Sequence, residues 1–119
     1  MAVIDKKIKK VLTLACREAG KILLKGYQKK KRVKSKGQND WVTSEDIKIE
    51  KLIIKLIRKD FPNSNFIGEE TGITKNVENI TWIIDPIDGT NNFIHNYPFF
   101  CTSIGVMLNG KITFGAIYD

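Results

Sequence analysis

Metal-ligating nitrogen and sulfur are scarce in this sequence: His95 is the only histidine, and Cys16 and Cys101 are the only cysteines. The two thiols stand apart, one in a helical and one in a strand pattern, without ligand spacing. They exclude a disulfide framework and read as reduced core residues. Long hydrophobic runs are absent too. None approaches the ~20 residues of a membrane span, and the first ten residues carry charges where a signal peptide is apolar. No membrane partner is expected, and a cytoplasmic protein is the default. Internal repeats are missing, and the sole biased tract is a lysine cluster.

What is present suits one domain. An apolar content of 42% over 119 residues is enough for a real core and too little chain for two, so residues 1–119 read as a single domain. The net charge is +7, from 20 basic and 13 acidic residues, with the excess concentrated between Lys21 and Lys36.

Ile4, Ile8, Val11, Leu12, Ala15, Ala19, Ile22 and Leu23 recur in steps of three and four, which predicts an amphipathic helix over Ile4 to Tyr27. The stretch "KKKRVKSKGQND" loses that period and reads as an exposed connection. A second helix is expected from "TSED". Thr43 can cap it and Asp46, three residues on, can answer the cap; Ile49, Leu52, Ile53, Leu56 and Ile57 form its buried face, and Phe61-Pro62-Asn63 stops it. Asn65 to Gly68 and Ile80 to Ile84 then read as short buried strands, the second ending at Asp85 because Pro86 follows. "FFCTSIGVMLNGKITFGAIYD" predicts a hairpin turning at Asn109-Gly110. Helices followed by mostly antiparallel strands give an α+β fold, with two helices packed on the sheet. The last strand still runs at Asp119, which leaves an edge.

The chemistry concentrates in "WIIDPIDGTNNF". Asp85 and Asp88, three residues apart across a proline, can converge at little entropic cost. Close carboxylates repel, so they need a proton or a cation, and Mg²⁺ with its six oxygens suits an acid-rich pocket without histidine or thiolate; Mn²⁺ is the near substitute. The Ile87 carbonyl lies between the acids, and Glu69 and Glu70 of "FIGEE" end the preceding strand. Gly89 permits a tight turn that frees the Gly89 and Thr90 amides for an anion. Metal beside an amide nest suits phosphate, with a water activated for in-line attack and Thr90 orienting it beside Glu69. The spacing fits neither an EF-hand, since Ile87 and Gly89 stand at ligand positions, nor a P-loop. Asp, Pro and Gly are equally the residues of any strand-ending turn, and spacing alone does not choose between turn and site.

"GEE" at Gly68–Glu70 and "DPIDGTNNF" together resemble the two signature segments of the inositol monophosphatase family. "DWVTSED" upstream and "FIHNYPFFCTSIGV" downstream extend the resemblance over nearly the whole chain. It implies the N-terminal half of an α-β-α-β-α layered sugar-phosphatase fold. It also implies Mg²⁺ bound by Glu69, Asp85, the Ile87 carbonyl and Asp88, and phosphate lined by Glu69, Ile87, Asp88, Gly89 and Thr90. Water would be activated by Glu69 and Thr90, with Asp46 and Glu70 supporting from behind. The implied activity is Mg²⁺-dependent, often Li⁺-sensitive hydrolysis of a small-molecule phosphate monoester, an inositol monophosphate or related sugar phosphate, in a homodimer. Asn91 departs from the threonine usual after Asp-Gly-Thr. The family's further metal-binding aspartate, in a W-D-x-A-A-G-like segment, has no counterpart here, nor do most residues that contact the substrate ring. The sequence therefore reads as the N-terminal portion of a longer protein, with weak or no catalysis expected from 119 residues alone.

Two alternatives stand beside this reading. One is a catalytically inactive fragment or binding module whose basic loop contacts nucleic acid or a protein partner; Lys29-Lys30-Lys31-Arg32 lacks interleaved aromatics, which disfavours nucleic acid. The other keeps the phosphatase and changes its substrate to fructose 1,6-bisphosphate, histidinol phosphate or a 3′-phosphonucleotide. Substrate steering is a further use for the basic residues, and Lys34 or Lys36 could reach a phosphate. His95 reads as a loop or packing residue, and Trp41 and Trp82 as core.

Overall fold

A computed structural model describes residues 2–37, 40–74 and 79–119. Helix α1 spans Ala2–Gly26 and α2 spans Ser44–Asp60. They pack on each other and on one face of a five-stranded sheet. The sheet is built from β3 (Asn65–Gly68), β4 (Gly72–Thr74), β5 (Ile80–Asp88), β6 (Cys101–Leu108) and β7 (Lys111–Tyr118), with spatial order β4-β3-β5-β6-β7. Among the described residues only β3 and β5 are parallel; the other pairs are antiparallel. The fold is thus the expected α+β, with a short third helix, α3 (Thr90–Ile94), added after β5.

The helical stripe and the strand alternation meet in one core. Ile8, Ala15, Ala19 and Leu23 of α1 and Ile49, Ile53 and Ile57 of α2 are buried against Phe66, Trp82, Ile84, Ile104 and Val106 of the sheet. Trp82 is core, its ring 5.3 Å from that of Phe61. Cys16 is buried as anticipated, whereas Cys101 is only half-buried. The hairpin turns where the sequence places it, with Asn109 at φ 50° and Gly110 at φ 80°.

Three expectations are corrected. First, the basic connection is partly strand: β1 (Val33–Gly37) pairs antiparallel with β2 (Asp40–Thr43) in a separate ribbon. Every residue of β1 is exposed, so main-chain pairing forms it and no buried face marks it in the sequence. Gln38 and Asn39, the rest of that connection, lie outside the described residues. Secondly, β5 does not end at Asp85; it continues through Pro86 to Asp88. Thr102 Oγ1 donates to the Pro86 carbonyl at 2.7 Å, joining β6 to β5 at the residue that has no N–H to give. Thirdly, Trp41 is not core but 41% exposed.

Candidate metal and phosphate site

The ladder explains how two acids three residues apart reach one side of a strand. On β5, Ile80, Trp82, Ile84 and Pro86 are buried beneath the helices, while Thr81, Ile83 and Asp85 belong to the other face. Strict alternation would send Asp88 inward with Pro86. Instead, the register slips: Asp85 pairs with Ser103 and Asp88 with Cys101, three steps on β5 against two on β6. This bulge buries Ile87 next to Pro86 and returns Asp88 to the exposed side that Asp85 occupies.

The carboxylates gather at one rim. A cavity of about 260 Å³ is lined by Trp41, Glu69, Asp85, Ile87, Asp88, Gly89, Thr90 and Asn91. Glu69 arrives there because β3 lies parallel to β5, with Gly68 beside Ile84. Burial and then the carboxylates of Glu69, Asp88, Asp46 and Glu50 push the Asp85 carboxyl up to about 6. Asp85 Oδ1 is buried without a hydrogen-bond partner.

Each arm of the rim is braced from behind. Gly89 adopts φ 91°, and a Cβ there would stand 2.7 Å from the Phe99 carbonyl oxygen, so glycine is required on both counts. The Thr90 hydroxyl lies 3.1 Å from Asp46 Oδ1 and 3.0 Å from the Ile87 carbonyl, either of which accepts its proton. Asp46 closes the expected capping box of α2: Thr43 donates to its Oδ2 from the amide at 2.7 Å and the hydroxyl at 2.6 Å, and the Asp46 amide returns a bond at 3.1 Å. Burial raises the Asp46 carboxyl above its usual range, the Thr43 and Thr90 bonds oppose that, and the Glu70 charge adds to it.

Four braces were not assigned from sequence. Glu50, fully buried on α2, accepts from the Glu70 amide at 3.1 Å and from the Thr71 amide and hydroxyl, which fixes the turn after Glu69. Gly68 leaves room for it, since a Cβ would fall 2.7 Å from Glu50 Oε1. The signal was present: Glu50 is one helical turn beyond Asp46 and adjoins the stripe of Ile49 and Ile53. Lys36 carries its ammonium to 3.0 Å from Glu70 Oε1, an ion pair between β1 and the "GEE" turn. Thr102, bonded to the Pro86 carbonyl, and Trp41, which lines the cavity, complete the set of residues the site adds. His95 is exposed at the end of α3, its ring 6.3 Å from that of Tyr97, and is not among the residues that line the acidic cavity.

The donor set is all oxygen: carboxylates, a main-chain carbonyl and an orphaned buried carboxylate oxygen. That chemistry fits a hard divalent cation. Among the described residues, no three Asp, Glu, His or Cys side chains alone are close enough to hold an ion. Among these residues, too, no helix is long and apolar enough to cross a membrane.

Comparison with known proteins finds relatives by sequence and by fold. The sequence is 43% identical over 109 residues to inositol monophosphatase of Mesembryanthemum crystallinum, covering 88% of this chain and 40% of that protein. It is 44% identical over 113 residues to human inositol monophosphatase 1, covering 91% and 40%. The fold superposes on the extragenic suppressor protein suhB from Bartonella henselae with a TM-score of 0.90 at 36% identity, over 94% of this chain and 45% of that one. The chain thus spans about two fifths of the length of these curated relatives. The profile of the inositol monophosphatase family matches residues 5–119, from the first turns of α1 to the end of β7, and the chain belongs to that family.

Proposed function

We propose that the chain carries the metal- and phosphate-binding part of an Mg²⁺-dependent hydrolase of phosphate monoesters, acting on an inositol monophosphate or a related sugar phosphate. One observation supports this most: Glu69, Asp85 and Asp88 share a single cavity with the Ile87 carbonyl and the Gly89-Thr90 turn, where burial and the neighbouring carboxylates hold Asp85 above its usual range. Family membership and the relatives' names point to the same substrate class.

Glu69, Asp85, the Ile87 carbonyl and Asp88 would hold the ion, with water filling the remaining positions. A divalent cation there supplies charge neutralisation and Lewis-acid activation of water. The Gly89 and Thr90 amides receive phosphoryl oxygens at the adjoining turn. Thr90 orients the attacking water beside Glu69, and its hydroxyl proton has Asp46 as an acceptor. Glu50 and the Lys36–Glu70 pair keep the Glu69 turn in place. Attack is in line, and the alcohol departs on the opposite side of phosphorus. In the assembled protein we infer a homodimer, lithium inhibition and a cytoplasmic setting.

The test is phosphate release from inositol 1-phosphate with and without Mg²⁺, set beside Asp88→Asn, with fructose 1,6-bisphosphate, histidinol phosphate and a 3′-phosphonucleotide as competing substrates. Mg²⁺-stimulated release that vanishes in Asp88→Asn is expected. An unstimulated protein whose melting is also indifferent to millimolar Mg²⁺ would return the chain to the reading of a binding module.

A further inference from the structure

Between Lys21 and Lys36 half of the residues are basic and none is acidic. The structure divides them by task. Lys21 pairs with Glu18 and Lys36 with Glu70. Lys31 lies 4.8 Å from the Phe93 ring centroid and donates to Asn96 Oδ1, tying the connection to α3. Lys25, Lys29 and Lys30 do none of this. With Lys48 of α2 they line a separate cavity of about 320 Å³, floored by Ile22 and Gly26. Glu45 is the one acid there, and its oxygens accept from Ser44 Oγ at 3.0 and 3.3 Å.

Four lysines against one carboxylate leave about three positive charges in excess around one concavity, with all four side chains exposed to an incoming anion. The volume is at the low end of the ~300–1,000 Å³ of small-ligand sites. The first turn of α2 adds its positive dipole end. No exposed aromatic ring lines the cavity, and the nearby Tyr27 ring is already tilted against Phe100 at 5.6 Å, so nothing there offers a stacking platform for bases. We propose that this cavity, formed by Lys25, Lys29, Lys30 and Lys48 at the α1–α2 junction, binds a compact multiply charged oxyanion, a free chain of phosphates, at a site separate from the carboxylate rim.

The probe is inorganic tripolyphosphate, titrated calorimetrically into the metal-free protein at about 0.1 M salt, where charges are screened over about 10 Å. The variant Lys29→Glu/Lys30→Glu is compared with Lys6→Glu/Lys10→Glu, which changes net charge equally. Lys10 is 15 residues before Lys25 on α1, roughly 22 Å away at 1.5 Å per residue. Saturable binding that weakens more than about tenfold in the first variant and less than about twofold in the second is expected, given that screening length. Equal weakening in both, absence of saturation, or a single-stranded RNA that binds and is not displaced by tripolyphosphate would overturn the assignment. Because the readout is binding without metal, it fails or succeeds independently of phosphatase activity.

Discussion

The molecule concentrates charge twice, by opposite means. At the sheet rim the acids are set by backbone: a bulge aims Asp88, a parallel strand delivers Glu69, and a left-handed glycine turns the chain. At the helix junction the bases stand on long flexible stems, with only the cavity itself to gather them. A rim built from backbone breaks at single positions, whereas a lysine cluster weakens by degrees. Like charges in the rim also cost stability, which a proton or a cation relieves, while lysines at the surface are largely screened.

The largest break should come at Gly89. Gly89→Ala forces a Cβ to 2.7 Å from the Phe99 carbonyl at φ 91°, and should cost about 2–3 kcal/mol in chemical unfolding while abolishing any Mg²⁺ response. Glu50→Ala strands the Glu70 and Thr71 donors; about 2 kcal/mol is the expected loss, again by denaturant titration. Thr43→Ala removes one arm of the capping box together with a bond to Asp46, a cost of about 1–2 kcal/mol.

The comparison sharpens with Asp85→Asn, because the sign reverses. Removing a carboxylate that is partly buried and then crowded by Glu69 and Asp88 should raise the metal-free melting temperature by a few degrees and erase the Mg²⁺ increment. In the unaltered protein, Mg²⁺ at ten times its Kd should add about 1.4 kcal/mol, roughly 5 °C for a domain of this size. A variant less stable than the parent without metal would mean that the acids do not repel as described. The smallest effect belongs to the lysines: Lys29→Glu/Lys30→Glu should stay within about 0.5 kcal/mol of the parent.

Much of this was legible in the sequence where local chemistry agrees with global packing. The α1 stripe, the Thr43–Asp46 cap and the Asn109-Gly110 turn are fixed by residues close in the chain, and they appear where periodicity and capping place them. The β1–β2 ribbon was not legible, because its residues are exposed and alternation leaves no apolar mark. Nor was the continuation of β5: Pro86 argues locally for a stop, and only the register against β6, sixteen residues away, reveals a bulge. Trp41 misled for a related reason, since a tryptophan beside a strand resembles core until the cavity it flanks is known. Glu50 was hidden by its type, an acid adjoining an otherwise aliphatic stripe whose value depends on a turn twenty residues downstream.

The slipped register between β5 and β6 makes the spacing Asp-Pro-Ile-Asp a matter of odd and even. Keep all four residues but straighten the pleat, and the second acid keeps its neighbours in sequence yet changes sides, facing hydrocarbon beneath the helices. The bulge that absorbs the extra step thus decides whether this strand pair is a tidy piece of scaffold or a vessel for charge.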